Sequence, residues 1–402
     1  MNDAVQTMMR QATRLTQAGH LREATQLIQR ALSGSPVPSA AVEPREQAST
    51  QDHATNSAAN DAPTLDATPL VLDGIVLTRS IHASEANAAR NGPGEFIGRS
   101  HTHAGLTRCY QLYVPPEHAG RALPLVVMLH GCTQNPDDFA AGTGMSERAL
   151  VQGFFVLYPA QSQDASPQRC WNWFKRNHQL RGRGEPALLA DMTQAVMAEY
   201  GIDARRVYIA GLSAGGAMAH IVATAYPEIF AAVGVHSGLP RGAASNVPEA
   251  FAVMKSGTSG RNKNAKTSGV GISPATAAPV TAPVPTIVFH GDHDQTVHPD
   301  NGEQVIAALL NGVAADAGED DPAKRAANPK VEQGLASGGR RYTRLIHTTG
   351  VGEVLAEHWS VHGAGHAWSG GSPKGSYTDA RGPDATGEML RFFFEHPHTT
   401  RC

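Results

Sequence analysis

The 402-residue chain has no excess of charge of either sign and no long apolar run. Its 33 lysines and arginines are balanced by 36 aspartates and glutamates, which leaves a formal net charge of −3. Proteins that bind nucleic acid usually carry a basic patch, so this balance argues against such a partner. No apolar run approaches the ~20 residues that a membrane-spanning helix needs. We therefore expect neither a nucleic-acid partner nor a membrane span.

Signals for secretion and for metal binding are also scarce. The N-terminus lacks the basic start and the apolar core of a signal peptide, which predicts a cytoplasmic protein. His101 and His103 are spaced like a pair of metal ligands, but no third ligand at a suitable spacing accompanies them. We expect no metal site and no cofactor. Of the four cysteines, Cys109 lies in a strand-like run and is expected to be a small core residue.

Composition divides the chain into three regions. Apolar residues at helical spacing in residues 1–33 predict a helical hairpin similar to one tetratricopeptide-type repeat. Residues 34–66 are rich in Ser, Ala, Pro, Gln and Asn, which predicts a flexible linker. Residues 67–402 show strand and helix patterns and form the third region, in which all of the motifs described below lie. Within it, the Gly- and Ser-rich stretch 255–283 and the charged stretch 314–339 are predicted to be flexible insertions.

The most informative motif is Gly-Leu-Ser-Ala-Gly at residues 211–215. It follows an apolar run and precedes a run of small residues, so Ser213 lies at the apex of a strand–turn–helix segment. Such an apex is the nucleophile elbow of α/β-hydrolases, in which glycines let the chain turn tightly beside the sheet. The sequence therefore predicts an α/β-hydrolase fold, a mostly parallel sheet flanked by helices, with Ser213 as the nucleophile.

Two loops further along the chain supply an acid and a base. Hydrolases of this fold place the nucleophile, the acid and the histidine in that order. Asp292 and Asp294 follow a β-rich apolar run, and His366 lies on a glycine-rich loop after a second strand-like run. His366 would accept the serine proton, and a carboxylate would orient its imidazole. We assign Asp294 as the acid because His-Gly-x-x-Asp-x-x-Val is the usual form of this loop, with Asp292 as the alternative.

The oxyanion hole is predicted from a third loop. Residues 123–129 read as a buried strand that ends in His-Gly. In this fold the loop after that strand supplies one backbone N–H of the oxyanion hole, and the residue after the nucleophile supplies the other. We therefore assign the N–H groups of Cys132 and Ala214 to this role.

Taken together, these segments resemble the poly(3-hydroxybutyrate) depolymerase-like esterases, a family that includes feruloyl and acetylxylan esterases. The resemblance rests on His-Gly-Cys-Thr-Gln at 130–134, Arg-Cys-Trp-Asn-Trp-Phe at 169–174 and Gly-His-Ala-Trp-Ser-Gly-Gly at 365–371, together with the elbow and the acid loop. The motifs stand in the family's order and span roughly residues 90–397.

The resemblance implies two further features of the site. It implies a disulfide between Cys132 and Cys170, a bond that fits an oxidising compartment. Since secreted members are common in the family, an extracellular location is the alternative to the cytoplasm. Four aromatic residues of the family segments are candidate walls for an ester chain. They are Trp171, Trp173, Trp368 and Tyr377.

The function implied by the resemblance is hydrolysis of poly(3-hydroxybutyrate) or its oligomers through a Ser213–His366–Asp294 triad and an acyl-enzyme. Feruloyl or acetylxylan esterase activity is the alternative. A third interpretation is a non-catalytic protein that binds a granule surface. Residues 1–33 are a candidate for docking on a granule or on a protein partner.

Overall fold

The computed structural model describes residues 94–116, 118–257, 283–317 and 327–399. All of these residues lie within one compact unit of the chain. The predicted hairpin at residues 1–33 and the predicted linker at residues 34–66 lie outside the described residues.

A ten-stranded sheet forms the centre of the unit. Its strands are β1 (Glu95–His103), β2 (Leu106–Val114), β3 (Leu125–Leu129), β4 (Phe155–Pro159), β5 (Val207–Leu212), β6 (Ala232–His236), β7 (Thr286–Gly291), β8 (Lys330–Leu335), β9 (Arg341–Thr348) and β10 (Val354–Val361). Their order is β1-β2-β4-β3-β5-β6-β7-β10-β9-β8. The central strands β4, β3, β5, β6, β7 and β10 run parallel, and two strands extend each edge in antiparallel pairing. The predicted mostly parallel sheet is confirmed.

The apolar runs of the sequence explain which strands are central. Strands β3 to β7 are buried along their whole length. A parallel strand covered by helices on both faces has no polar side, so it reads as a continuous apolar run. The two edge strands, β1 and β8, are mostly exposed and carry many polar residues.

Among the described residues, seven helices accompany the sheet. They are α1 (Pro136–Thr143), α2 (Met145–Gln152), α3 (Gly184–Tyr200), α4 (Ala214–Ala225), α5 (Val247–Ser256), α6 (Asp300–Ala317) and α7 (Ala385–Glu395). A short 3-10 helix, Arg176–Gln179, precedes α3, and a small ladder joins β11 (Trp368–Ser369) to β12 (Thr378–Asp379). Helix α4 follows β5 directly and packs on β5 and β6. Its N-terminus thus lies at the carboxyl edge of the sheet, where open α/β sheets build their sites.

The burial of β2 differs from the sequence-based expectation. Arg108 and Tyr110 point inward, whereas Cys109 between them is exposed. The expected core position of Cys109 is therefore wrong, because neighbouring residues of a strand point to opposite faces. Arg108 is drawn inward by the fully buried carboxylate of Glu185, 3.3 Å from its guanidinium. The covered face of β2 thus carries Arg108 beside the apolar core residues Tyr110, Leu112 and Val114.

The two predicted insertions also need correction in part. Of the stretch 255–283, the first residues end α5, while residues 258–282 lie outside the described part of the chain. The stretch 314–339 is not one flexible insertion, since it begins inside α6 and contains strand β8, paired with β9. Every residue of β8 is exposed or half-buried, so Lys-Val-Glu-Gln-Gly-Leu lacks the apolar run that reveals a central strand covered on both faces.

Candidate active site

Ser213 stands between strand β5 and helix α4, on a turn with unusual backbone angles. Its φ is +58° and its ψ is −121°, a conformation that costs a non-glycine residue about 1–3 kcal/mol. The flanking glycines make the turn possible. A Cβ on Gly211 would lie 2.4 Å from the backbone of Gly215, and a Cβ on Gly215 would lie 2.0 Å from the carbonyl oxygen of Leu129. Larger residues at either position would force the strand and the helix apart.

Backbone hydrogen bonds hold this turn in place. The amide of Ser213 donates to the carbonyl of His236 at the end of β6 over 2.9 Å. In the first turn of α4, the amide of Ala217 donates to the carbonyl of Ser213, also over 2.9 Å. The serine therefore has a fixed position at the N-terminus of α4, where the helix dipole favours negative charge.

His366 and Asp294 come from loops that follow two neighbouring parallel strands. Asp294 lies three residues after β7, and His366 lies five residues after β10. The Nδ1 of His366 lies 2.7 Å from Oδ2 of Asp294. The other carboxylate oxygen accepts from the amides of Thr296 (2.8 Å) and Val297 (2.9 Å). With its proton on Nδ1, a neutral imidazole keeps Nε2 as an acceptor.

The surroundings of Asp294 keep it ionised. Burial by itself raises the pKa of this carboxyl, which is only 5% exposed. Hydrogen bonds from His290 and His366 and from the amide of Val297 outweigh burial and hold the pKa of Asp294 well below its usual value. Asp294 is therefore a carboxylate at neutral pH, able to stabilise a positive charge on His366.

Asp292, the alternative acid, has a different histidine partner. Its Oδ2 lies 2.8 Å from Nδ1 of His362, and its Oδ1 accepts from the amide of Gly363 over 2.7 Å. Both side chains of this pair are more than a third exposed. The geometry thus pairs Asp294 with His366 and leaves Asp292 in a solvent-facing pair beside them.

The candidate oxyanion residues Cys132 and Ala214 line the same cavity as Ser213. The Nδ1 of His130 lies 2.7 Å from the carbonyl oxygen of Gly131. The carbonyl of Gly131 and the N–H of Cys132 belong to the same peptide group. Because that group is planar and trans, the N–H points opposite to the carbonyl, so fixing the carbonyl also fixes the direction of the N–H. The Nε2 of His130 accepts from the amide of Gln161 over 3.1 Å. Burial lowers the pKa of His130 to about 4, so the ring is neutral and donates through Nδ1.

Cys132 is also bonded covalently. It forms a disulfide with Cys170, with an S–S distance of 2.05 Å, which confirms the pairing implied by the family resemblance. The bond joins the loop after β3 to the segment that begins at Cys170. A cross-link between residues 38 positions apart in sequence stabilises a protein by about 3–4 kcal/mol in the chain-entropy account.

Ser213 and His366 line a cavity of about 570 Å³. Its remaining walls are largely apolar and include residues that sequence analysis did not connect with the site: Phe174, Leu239, Val247, Ala250, Phe251 and Met254. Four of these lie on α5, and Phe251 and Val247 are 66% and 49% exposed. Large apolar side chains on an open wall are costly in water, and they are typical of ligand sites.

Trp171 and Trp368 do not contact the cavity, which corrects their assignment as substrate walls. Both rings are buried in the core. The Nε1 of Trp171 donates to the carbonyl of His130 over 3.1 Å, and that of Trp368 donates to Oγ1 of Thr386 over 3.0 Å. A buried indole needs such a partner for its N–H. These rings brace the loops that carry the site and are not open to a ligand.

The other two aromatic candidates, Trp173 and Tyr377, do line the cavity. Trp173 is nearly buried, while Tyr377 is 46% exposed. The hydroxyl of Tyr377 lies 3.2 Å from Oγ1 of Thr133, in the loop that carries Cys132. Tyr377 therefore connects this part of the cavity wall to the loop that carries Cys132.

The histidine pair considered as a metal site has a third neighbour in space. His101 Nε2 and His103 Nδ1 lie 2.6 and 3.1 Å from one oxygen of Asp191, on helix α3. The absence of a nearby third group in sequence thus did not exclude one in the fold. Within the described ranges, however, no cluster of His, Cys, Asp and Glu has an arrangement suited to a metal ion.

A family model and two curated relatives indicate the same family of esterases. A family model described as "Esterase PHB depolymerase" matches residues 108–333. Poly(3-hydroxyalkanoate) depolymerase C of Paucimonas lemoignei is 29% identical over 304 residues, covering 75% of this chain and 65% of that protein. A probable acetylxylan esterase A of Aspergillus fumigatus is 28% identical over 200 residues, covering 47% of this chain and 51% of that protein. The chain thus spans about half to two thirds of the length of these relatives.

A solved structure supports the fold. The acetyl xylan esterase from Aspergillus awamori aligns with a TM-score of 0.51 at 19% identity, over 75% of this chain and 100% of that one. At this identity the similarity establishes the α/β-hydrolase architecture alone. Among the helices of the described ranges, none combines the length and the apolar character required to cross a membrane.

Proposed function

Since the chain belongs to the esterase PHB depolymerase family, we propose that it is a serine esterase that hydrolyses poly(3-hydroxybutyrate) or its oligomers through an acyl-enzyme. The observation that carries the proposal is the 2.7 Å contact between His366 and Asp294, together with the placing of His366 and Ser213 on one apolar cavity. A buried acid that orients a histidine beside an elbow serine is the arrangement that acyl transfer requires.

The proposed reaction has two halves. In the first, Ser213 Oγ attacks the ester carbonyl while His366 Nε2 takes the hydroxyl proton, and Asp294 stabilises the imidazolium that forms. The amides of Cys132 and Ala214 donate to the oxyanion of the tetrahedral intermediate. The C–O bond then breaks, and His366 gives its proton to the leaving alcohol. In the second half, water attacks the acyl-serine with His366 again as base, which releases the acid and restores Ser213.

The shape of the cavity bears on the substrate. The exposed apolar side chains of α5 extend one wall beyond the buried part of the site. An acetyl group needs no such wall, whereas an aliphatic polyester chain would cover it, so the wall supports the polymer assignment. The aromatic rings of Trp173, Phe174 and Phe251 also suit a feruloyl ring. Feruloyl or acetylxylan esterase activity is therefore kept as the second candidate.

The deciding experiment offers the purified chain amorphous poly(3-hydroxybutyrate) granules, methyl ferulate and acetylated xylan in parallel, with Ser213→Ala as the control. Release of hydroxybutyrate oligomers by the unmodified chain and not by the variant is the expected result. Cleavage of ferulate or xylan acetate without polymer release would replace the substrate assignment. Granule binding retained in the variant, without any ester hydrolysis by the unmodified chain, would favour the non-catalytic binding protein, with residues 1–33 as its candidate docking segment.

The wall on α5 gives a separate prediction. Changing Phe251 and Val247 together to serine is expected to lower the rate on poly(3-hydroxybutyrate) about 10- to 100-fold. Full burial of such a side chain contributes about 1.5–3 kcal/mol, and each of these two is already partly covered, so a bound chain would bury only the remaining surface. Hydrolysis of p-nitrophenyl acetate should stay within about twofold, since the small acyl group does not reach this wall.

A matched control is Leu335→Ser, which removes a side chain of similar exposure (67%) from the edge strand β8. It should leave both rates unchanged. Equal losses on the polymer and on the small ester in the α5 variant would contradict a role in chain binding.

The compartment also belongs to the proposal. The bond between Cys132 and Cys170 is of a kind that persists in oxidising compartments. It supports the extracellular alternative over the cytoplasmic location predicted from the N-terminal sequence. Comparing thiol alkylation before and after reduction, on protein taken directly from its natural source, distinguishes the two.

A further inference from the structure

Glu185, in the first turn of α3, is a buried carboxylate that the proposed reaction does not use. Its side chain is fully buried, and its cationic neighbour Arg108 lies 3.3 Å away. Removing a carboxylate from water costs free energy that a single ion pair seldom returns, so the oxygens need further donors. The hydrogen-bond donors to these oxygens show which part of the chain the Glu185 carboxylate holds in place.

Gln161 and Asn172 together donate three hydrogen bonds to the carboxylate of Glu185. Oε1 accepts from Gln161 Nε2 (2.6 Å) and Asn172 Nδ2 (2.8 Å), while Oε2 accepts from the backbone amide of Asn172 (2.8 Å). Burial works to raise the pKa of Glu185, but His178, Gln161 and Asn172 outweigh it and lower that pKa below its ordinary value. An ionised carboxylate is the side chain that offers two acceptor oxygens and no donor.

The partners of Glu185 are also the anchors of the oxyanion loop. The side chain of Gln161 donates to the carbonyl of Cys170 (3.0 Å), and its backbone amide donates to Nε2 of His130 (3.1 Å). The indole of Trp171 donates to the carbonyl of His130 over 3.1 Å. Cys170 in turn is bonded to Cys132. The oxyanion loop is therefore held at two points. Hydrogen bonds from Gln161 and Trp171 hold His130, and the disulfide to Cys170 holds Cys132. Residues 170–172 thus supply one contact at each point, and Glu185 binds this segment through Asn172.

We propose that Glu185 is a positioning residue for the oxyanion hole. Its carboxylate fixes Asn172 and the side chain of Gln161, these fix the 170–172 segment, and that segment sets the direction of the Cys132 N–H. Glu185 itself does not line the cavity, so it acts only through these groups. The role rests on the proposed ester hydrolysis.

The test is Glu185→Gln in the full chain, assayed on p-nitrophenyl acetate. Glutamine has nearly the same size as glutamate, but it has one acceptor oxygen and turns an NH2 group toward the donors of Asn172 or Gln161. The 170–172 segment should therefore shift. We expect kcat per titrated active site to fall about 10- to 100-fold with KM nearly unchanged. This decrease is smaller than the roughly 10²–10³-fold decrease in kcat that follows complete removal of one oxyanion donor. The affinity for a trifluoromethyl ketone, whose hemiketal oxygen occupies the oxyanion hole, should fall by the same factor as kcat/KM.

Glu357→Gln is the matched control. Glu357 is equally buried and accepts from two arginines, Arg344 and Arg391, but it lies within β10 and outside the cavity wall. This variant should lose thermal stability without losing kcat per active site or affinity for the ketone. If Glu185→Gln behaves in the same way, or if its kcat falls while the ketone still binds normally, the positioning role is wrong.

A milder variant, Asn172→Ala, tests the proposal if Glu185→Gln does not fold. Asn172→Ala removes one donor to Glu185 and keeps the backbone amide. It should lower kcat and ketone affinity together by about 3- to 10-fold, a smaller loss than in Glu185→Gln, because the backbone amide of Asn172 and the side chain of Gln161 still donate to the carboxylate. An unchanged kcat in Asn172→Ala would count against the proposal. If the unmodified chain cleaves no soluble ester, the proposed function fails first, and the two failures are thereby distinguished.

Discussion

Replacing Ser213 by alanine is expected to lower kcat for p-nitrophenyl ester hydrolysis by about 10⁴–10⁶-fold, because no covalent intermediate can form. The fold should be unaffected. Alanine accepts the same backbone angles at the same cost, and the amide bonds to His236 and within α4 do not involve the hydroxyl. The measurement is kcat per mole of folded protein, with circular dichroism and melting temperature recorded on the same sample.

The control for this variant is Ser237→Ala. Ser237 is also buried and also has positive φ (+49°), but it does not line the cavity. Activity within a few-fold of the unmodified chain is expected. The double variant with His366→Ala should be no slower than Ser213→Ala alone, since the serine and the histidine act as a unit. Substantial activity left in Ser213→Ala would mean that another group is the nucleophile.

Changing Asp294 to asparagine should lower kcat about 10²–10⁴-fold. The amide oxygen can accept from Thr296 and Val297, which turns the NH2 group toward His366. His366 would then hold its proton on Nε2 and could not accept one from Ser213. The loss should appear across the neutral pH range, because the depressed pKa of Asp294 keeps the unmodified residue ionised throughout it.

The comparison variant is Asp292→Asn, two residues away on the same loop. It removes charge from the exposed pair with His362, and it should change kcat less than about fivefold, since exposed pairs contribute about 0–1 kcal/mol. The assay is kcat/KM against pH for both variants. A damaging Asp292→Asn with a silent Asp294→Asn would reverse the assignment of the acid.

The parts of the site that the sequence could reveal are those set by local chain geometry. The elbow at Ser213 requires glycines on either side of one turn, and those glycines stand next to it in the sequence. His366 and Asp294 follow strands that are recognisable as apolar runs, and parallel strands bring their carboxyl ends to one edge. The order of these residues in the chain therefore carries most of the information needed to place them.

The parts that could not be predicted depend on which way a side chain points. Trp171 and Phe251 show the difference. The tryptophan stands in a family segment next to the disulfide, yet its ring turns into the core to reach a carbonyl. Phe251 belongs to a helix with an ordinary amphipathic pattern, and nothing in that pattern distinguishes a face against the core from a face against a cavity. Cys109 was misplaced for a similar reason, since it points to the opposite face of β2 from its buried neighbours Arg108 and Tyr110.

Helix α5 has a consequence for how such proteins diverge. It lies between β6 and β7 in the chain and packs against α6. Its outward residues can therefore be exchanged without disturbing the hydrogen bonds that hold Ser213 and His366. Under the proposed function, mutations on this helix could be selected for a new acyl or alcohol group while the chemical step is inherited intact. Substrate preference and catalysis are in this sense separate modules, and the first can evolve quickly at little risk to the second.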